Sequence, residues 1–98
     1  MHELHLTGDI DRGAEPQLDD GYAAARAAGA DDIRLDFSGT TYVNSTGIAL
    51  IVALLARARA DGVTVSASGL SAHYREIFEI TRLADFVTII DQEGSDHA

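Results

Sequence analysis

Apolar and polar residues alternate from Glu3 to Thr7, with Leu4 and Leu6 on one side and His5 on the other, the pattern of a half-buried strand. The run Gly8-Asp9-Ile10-Asp11-Arg12-Gly13 then turns the chain. A helix is predicted from about Glu15, with Pro16 in its first turn, Asp19 and Asp20 near its N-terminal pole, a thin stripe of Leu18, Tyr22 and Ala25, and Gly29 at its end. Ile33 to Phe37 reads as a short strand ended by Ser38-Gly39, and Thr41-Tyr42-Val43 runs on extended. After a second helix, Val63 to Ala67 is a strand rich in β-branched residues. Ser71 caps a third helix with Tyr74, Ile77, Phe78 and Thr81 inside and Arg75 and Glu79 paired outside. Leu83 to Phe86 packs the end of that helix, and Val87 to Ile90 is the last strand. The order β, α, β, α, β, α, β with short connections predicts a small α/β domain: a mostly parallel sheet of about four strands with right-handed helical crossovers.

The second helix is the centre of this pattern. It follows the polar hinge Asn44-Ser45-Thr46, whose short side chains suit the unpaired N–H groups of a first helical turn. Ser45 itself is a candidate cap, worth about 1 kcal/mol. Ile48 to Ala56 is an unbroken apolar run, and Arg57, Arg59 and Gly62 suit the C-terminal end. Helical spacing puts Ile48, Ile51, Val52 and Leu55 in one stripe, expected to face the sheet. Leu50 and Leu54 fall opposite, with Arg57 and Asp61. They are expected either to be covered by another helix or to form an exposed apolar ridge for a partner protein.

Composition narrows the chemistry. The 98 residues make one domain, taken as residues 1–91, followed by a flexible acidic tail over residues 92–98. Formal net charge is −9, and all seven basic residues are Arg. A polyanion needs a basic face, so nucleic acid and anionic membrane surfaces are not expected partners. The lack of Lys removes the P-loop and Schiff-base chemistry, and the lack of Cys removes disulfides, thiolate nucleophiles and Cys-based metal sites. No signal-peptide pattern opens the chain and no run is long enough for membrane insertion, so a cytoplasmic protein is expected.

Several spaced blocks carry a family resemblance: Leu-Thr-Gly-Asp-Ile-Asp (6–11), Leu-Asp-Phe-Ser-Gly (35–39), Tyr-Val-Asn-Ser-Thr-Gly-Ile (42–48), Gly-Leu-Ser (69–71) and Phe-Glu-Ile-Thr-Arg-Leu (78–83). Together they resemble the STAS domain of bacterial anti-sigma factor antagonists over nearly the whole chain. The resemblance implies a non-enzymatic module that docks an anti-sigma factor with serine kinase activity. A serine or threonine at the start of the central helix is phosphorylated in that family, and a PP2C-type phosphatase resets it. The matching residue is Ser45, with Thr46 as second choice and Gly47 completing the motif, while Asp11 matches the family's acid near the end of the first strand. Two departures stand out. Asn44 occupies the place of the family's Asp, removing an acid that would orient the hydroxyl or be read by the kinase. The N-terminus is short of the family's first edge strand, which points to a homodimer as one way to protect the sheet edge. Other STAS proteins are constitutive scaffold subunits of stress-sensing or lipid-transport assemblies, and that is the alternative reading.

The expected partner surface is therefore Asn44, Ser45, Thr46, Gly47, Leu50 and Leu54, with Asp11 and Asp36 at the same end of the sheet. Against an enzyme, the serine lies in Asn-Ser-Thr-Gly and not in a Gly-x-Ser-x-Gly elbow, and only His73 starts at the correct end to serve as its base. Asp9, Asp11 and Asp36 would suit magnesium only as a cluster. A phosphoaspartate receiver also needs a Lys that is missing, so turn-capping acids are the expectation. No cofactor or metal is expected. Tyr42 and Tyr74 are expected at core edges with solvated hydroxyls.

Overall fold

The computed structural model describes residues 2–90, so the expected tail lies outside the described residues. The elements follow the predicted order: β1 (His2–Ile10), α1 (Glu15–Ala27), β2 (Asp32–Val43), α2 (Ser45–Asp61), β3 (Thr64–Ser68), α3 (Ala72–Ile80) and β4 (Thr88–Ile89). Short 3₁₀ turns at Arg12–Ala14 and Leu83–Asp85 precede α1 and β4. The described strands form one four-stranded, all-parallel sheet in the order β1-β2-β3-β4.

Sequential order with right-handed crossovers places every helix on the same face. Gly21 of α1 lies against Leu4, Gly47 of α2 against Ile10, and Phe78 of α3 meets Phe37 edge-on at 6.0 Å. Leu4, Leu6, Ile33, Leu35, Phe37, Val65 and Ala67 make the sheet's side of this core. The opposite face carries Glu3, His5, Arg34, Asp36 and Ser66, which is why these parallel strands alternate where a sheet covered on both faces would be apolar throughout.

Two expectations change. The strand thought to end at Ser38-Gly39 continues to Val43 as one twelve-residue strand, with irregular register opposite His5/Thr7 and Gly8/Asp9. Ser38 and Gly39 lie at the first irregularity and Thr41 at the second, and neither ends the strand. Beyond Asp36, β2 overhangs β3, whose last pair is Asp36–Ser68. In α3, of the expected stripe only Phe78 is fully buried; Tyr74 and Ile77 are half-buried and Thr81 is exposed, its hydroxyl bonded back to the Ile77 carbonyl at 2.7 Å.

Candidate functional site

The hinge is built by three contacts. The Asn44 N–H donates to the Ile10 carbonyl at 3.2 Å, tying the end of β2 to the end of β1. The Asn44 side-chain oxygen then accepts from the Gly47 N–H at 2.8 Å, and its carbonyl accepts from the Ile48 N–H at 2.9 Å, which starts α2. Finally, Gly47 packs so closely that a Cβ there would lie 1.7 Å from the Ile10 carbonyl oxygen. Asn44 is therefore the cap, and Ser45 is the first helical residue. The expectation that Ser45 caps α2 is corrected: the Asn44 side chain makes the cap bond, and Ser45 is already inside the helix. Ser45 and Thr46 are exposed, and among the described residues neither hydroxyl has a hydrogen-bond partner.

The close approach at Gly47 also fixes the rotation of the helix. Gly47, Ile51, Leu54, Leu55 and Ala58 are buried, an inner face turned by roughly 70° from the expected stripe. Leu54 is only 3% exposed and Leu50 is half-buried against the core, whereas Val52 is 44% exposed. The apolar ridge of Leu50 and Leu54 is therefore not an outer surface. Leu54 is in the core, and Leu50, Arg57 and Asp61 lie on the same flank, toward α1. There the Tyr22 hydroxyl donates to Asp61 at 2.6 Å, while Arg57 lies over the Tyr22 ring at 4.6 Å and pairs with Asp19 at 3.2 Å. Burial first, then the bond to Asp61, raises the Tyr22 pKa. The expected stripe left out two small residues, Gly47 and Ala58, that are buried, and Gly47 lets the helix come close to Ile10.

The exposed side of α2 is a different row. Ser45, Ala49, Val52, Ala56 and Arg59 recur at helical spacing and are all exposed. At its far end Val52, Leu55, Ala56 and Arg59 line an apolar groove of about 300 Å³ with Thr81, Leu83 and Phe86. Phe86 is 52% exposed under the Arg59 guanidinium, 5.2 Å away, so it does not bury itself against the helix end as expected. Beside the hinge, Tyr42 is 55% exposed and not a core edge; Tyr74 is half-buried, its oxygen accepting from the Val43 N–H at 3.0 Å. Tyr42, Val52 and Phe86 were not among the expected surface residues; Tyr42, close before Ser45, and Val52, at its helical spacing, carried a usable signal, whereas Phe86 comes from beyond α3 and had none.

The acids separate. Asp11 directly follows Ile10 and so lies at the hinge, where its carboxylate accepts from the Gly13 N–H at 2.8 Å and caps the 3₁₀ turn. Asp9 accepts from the Thr41 hydroxyl at 2.6 Å. Asp36 is corrected: because β2 continues, it sits mid-strand on the polar face, roughly 20 Å of strand before the hinge. It accepts from the Ser38 N–H at 3.0 Å and lies 2.9 Å from His5 Nδ1. The Ser38 N–H, acting against burial and aided by His5, lowers its pKa. The three carboxylates thus serve three separate local partners, and no metal-holding group of acids and histidines occurs among the described residues. No helix of the described residues is long and apolar enough to cross a membrane.

Comparison with known proteins adds family context to this geometry. A family model described as "Mlab, STAS domain" matches residues 2–90. An anti-sigma-B factor antagonist of Staphylococcus epidermidis is 25% identical over 96 residues, covering 98% of this chain and 87% of that protein. The fold matches the anti-sigma factor antagonist SpoIIAA in its unphosphorylated form with a TM-score of 0.68 at 19% identity, over 97% of this chain and 86% of that one. The same Bacillus cell fate determinant in its phosphorylated form matches with a TM-score of 0.66 at 20% identity, with the same coverage of both chains.

Proposed function

Because the chain belongs to the STAS domain family, we propose that it is an anti-sigma factor antagonist: a non-enzymatic module that docks a kinase-like anti-sigma factor and is switched by phosphorylation of Ser45. The observation that carries this reading is the division of labour at the hinge. Asn44 supplies the cap, so the Ser45 hydroxyl is exposed and uncommitted at the first position of a seventeen-residue helix. A kinase can reach it without unwinding anything.

The docking surface is the row Ser45, Ala49, Val52 and Ala56, flanked by Tyr42 and Thr46 and ending at the Phe86 groove. Its alanines allow close approach, and Val52, Tyr42 and Phe86 offer apolar anchors. A phosphate on Ser45 adds about −1.5 to −2 charges, yet the positive pole of α2 offsets its effect on the fold, by about 0.3–2 kcal/mol. A partner lying along the row would instead have to desolvate that phosphate, so phosphorylation releases the partner and leaves the domain intact. A PP2C-type phosphatase resets the switch.

The test is incubation with the cognate anti-sigma kinase and ATP, followed by mass spectrometry. Phosphate on Ser45, or secondarily on Thr46, together with loss of the complex, supports the switch. Asn44 in place of the family's Asp favours a second reading, a constitutive scaffold subunit. It predicts a stoichiometric complex insensitive to ATP, with both hydroxyls unmodified.

A further inference from the structure

We propose that the outer edge of β1 is a pairing site for a second copy of this chain, joined antiparallel about a two-fold axis at Leu4. Among the described residues β1 is an end strand of the sheet, paired with β2 along one edge. Both register irregularities add a residue to β2, since β2 advances from Asp36 to Gly39 while β1 advances from His5 to Thr7, and from Thr40 to Tyr42 while β1 advances from Gly8 to Asp9. β1 therefore keeps strict alternation. Its outward positions are identified by Thr7, whose N–H donates to the Gln17 side-chain oxygen at 2.9 Å and whose carbonyl accepts from the Gln17 amide at 3.4 Å. Two and four residues earlier, His5 and Glu3 present their N–H and carbonyl groups the same way.

Gln17 closes the edge at Thr7, leaving the stretch from His2 to Leu6 to template another strand. Antiparallel pairing about a two-fold then has few registers. Centring on His5 sets Glu3 against the Thr7 of the other copy, already taken by Gln17, and places His5 against His5. Centring on Glu3 opposes two carboxylates. Centring on Leu4 sets each Glu3 opposite the other copy's His5, with two reciprocal pairs of main-chain hydrogen bonds and complementary side chains across the join. Backbone geometry and charge thus select the same register. Glu3 and His5 already lie 3.4 Å apart within one chain on the polar face, beside Asp36 and Arg34, so each His5 would gain a third acidic neighbour after Glu3 and Asp36. The result is an isologous dimer with one continuous sheet. It does not depend on the docking row, which lies on the helical layer.

Sedimentation equilibrium of the full chain, with amide exchange measured at low and high protein concentration, tests this. The expected result is a dimer in which the Glu3 and His5 amides exchange more slowly as concentration rises. Glu3→Pro removes only an outward N–H, so the variant keeps its circular dichroism and weakens the dimer by about tenfold or more. If that variant fails to fold, Glu3→Lys, which sets a cation against His5, carries the same expectation. A monomer at every concentration, a dimer unchanged by these variants, or Glu3 and His5 amides protected independently of concentration by a segment of the same chain would each overturn the proposal.

Discussion

A methyl group at Gly47 would fall 1.7 Å from the Ile10 carbonyl oxygen, so Gly47→Ala is expected to destabilise the domain by about 3 kcal/mol. Chemical denaturation measures this. Asn44→Ala removes the cap and is expected to cost about 1 kcal/mol, whereas Asn44→Asp keeps an accepting oxygen and adds a charge favourable to the helix pole. Thermal unfolding of the pair separates cap from charge. Asp36 contributes on the acid side. Its folded pKa lies below the ordinary value of 3.8, chiefly through the Ser38 N–H. That contribution is fully present above the ordinary value and is lost as pH falls through the lowered one. Acid unfolding of Asp36→Asn should lack this component. These residue roles were only partly legible in the sequence. The hinge announced a helix start, but three adjacent capping side chains gave no local signal for which one would serve. The bond from the Asn44 N–H to Ile10, thirty-four residues earlier, chose Asn44.

For α2, the element itself was plain from its apolar run, basic last turn and Gly62, which adopts the left-handed cap with φ of 74°. Its rotation was not, because an almost uniformly apolar helix has no strong phase of its own. Contact with β1 through Gly47 and with α1 through Tyr22 set it. The consequence is a contrast between neighbours. Leu54→Arg buries an unpaired charge and should unfold the domain or cost about 4 kcal/mol, while Val52→Arg should leave the melting temperature nearly unchanged. Calorimetry of the two variants checks the assignment. Likewise β2 was legible as extended segments, but its continuity through Ser38-Gly39 was not, since Gly39 reads locally as a terminator. Pairing of Gly39, Thr40, Tyr42 and Val43 with β1 carries the strand onward.

Across the whole molecule, strand order and class followed from the alternation of elements and the handedness of crossovers, and the blocks shared with STAS domains agree with the observed family. The polar sheet face was already legible in the alternation of Glu3 to Thr7, but that α1 seals the flank of Leu54 was not, because it depends on which elements become neighbours. The α1–α2 seam has its own signature at high pH. Burial and the bond to Asp61 raise the Tyr22 pKa from 10.0, so its contribution is present below that value and is lost as pH rises through the raised one. Tyr22→Phe should flatten alkaline unfolding. The central claim is that the row from Ser45 to Ala56 receives the anti-sigma factor. Isothermal titration of Val52→Arg against the cognate anti-sigma kinase tests it most directly. The account predicts a folded variant whose binding is weakened by about 2 kcal/mol or more, roughly thirtyfold. Affinity equal to that of the unmodified protein would contradict it.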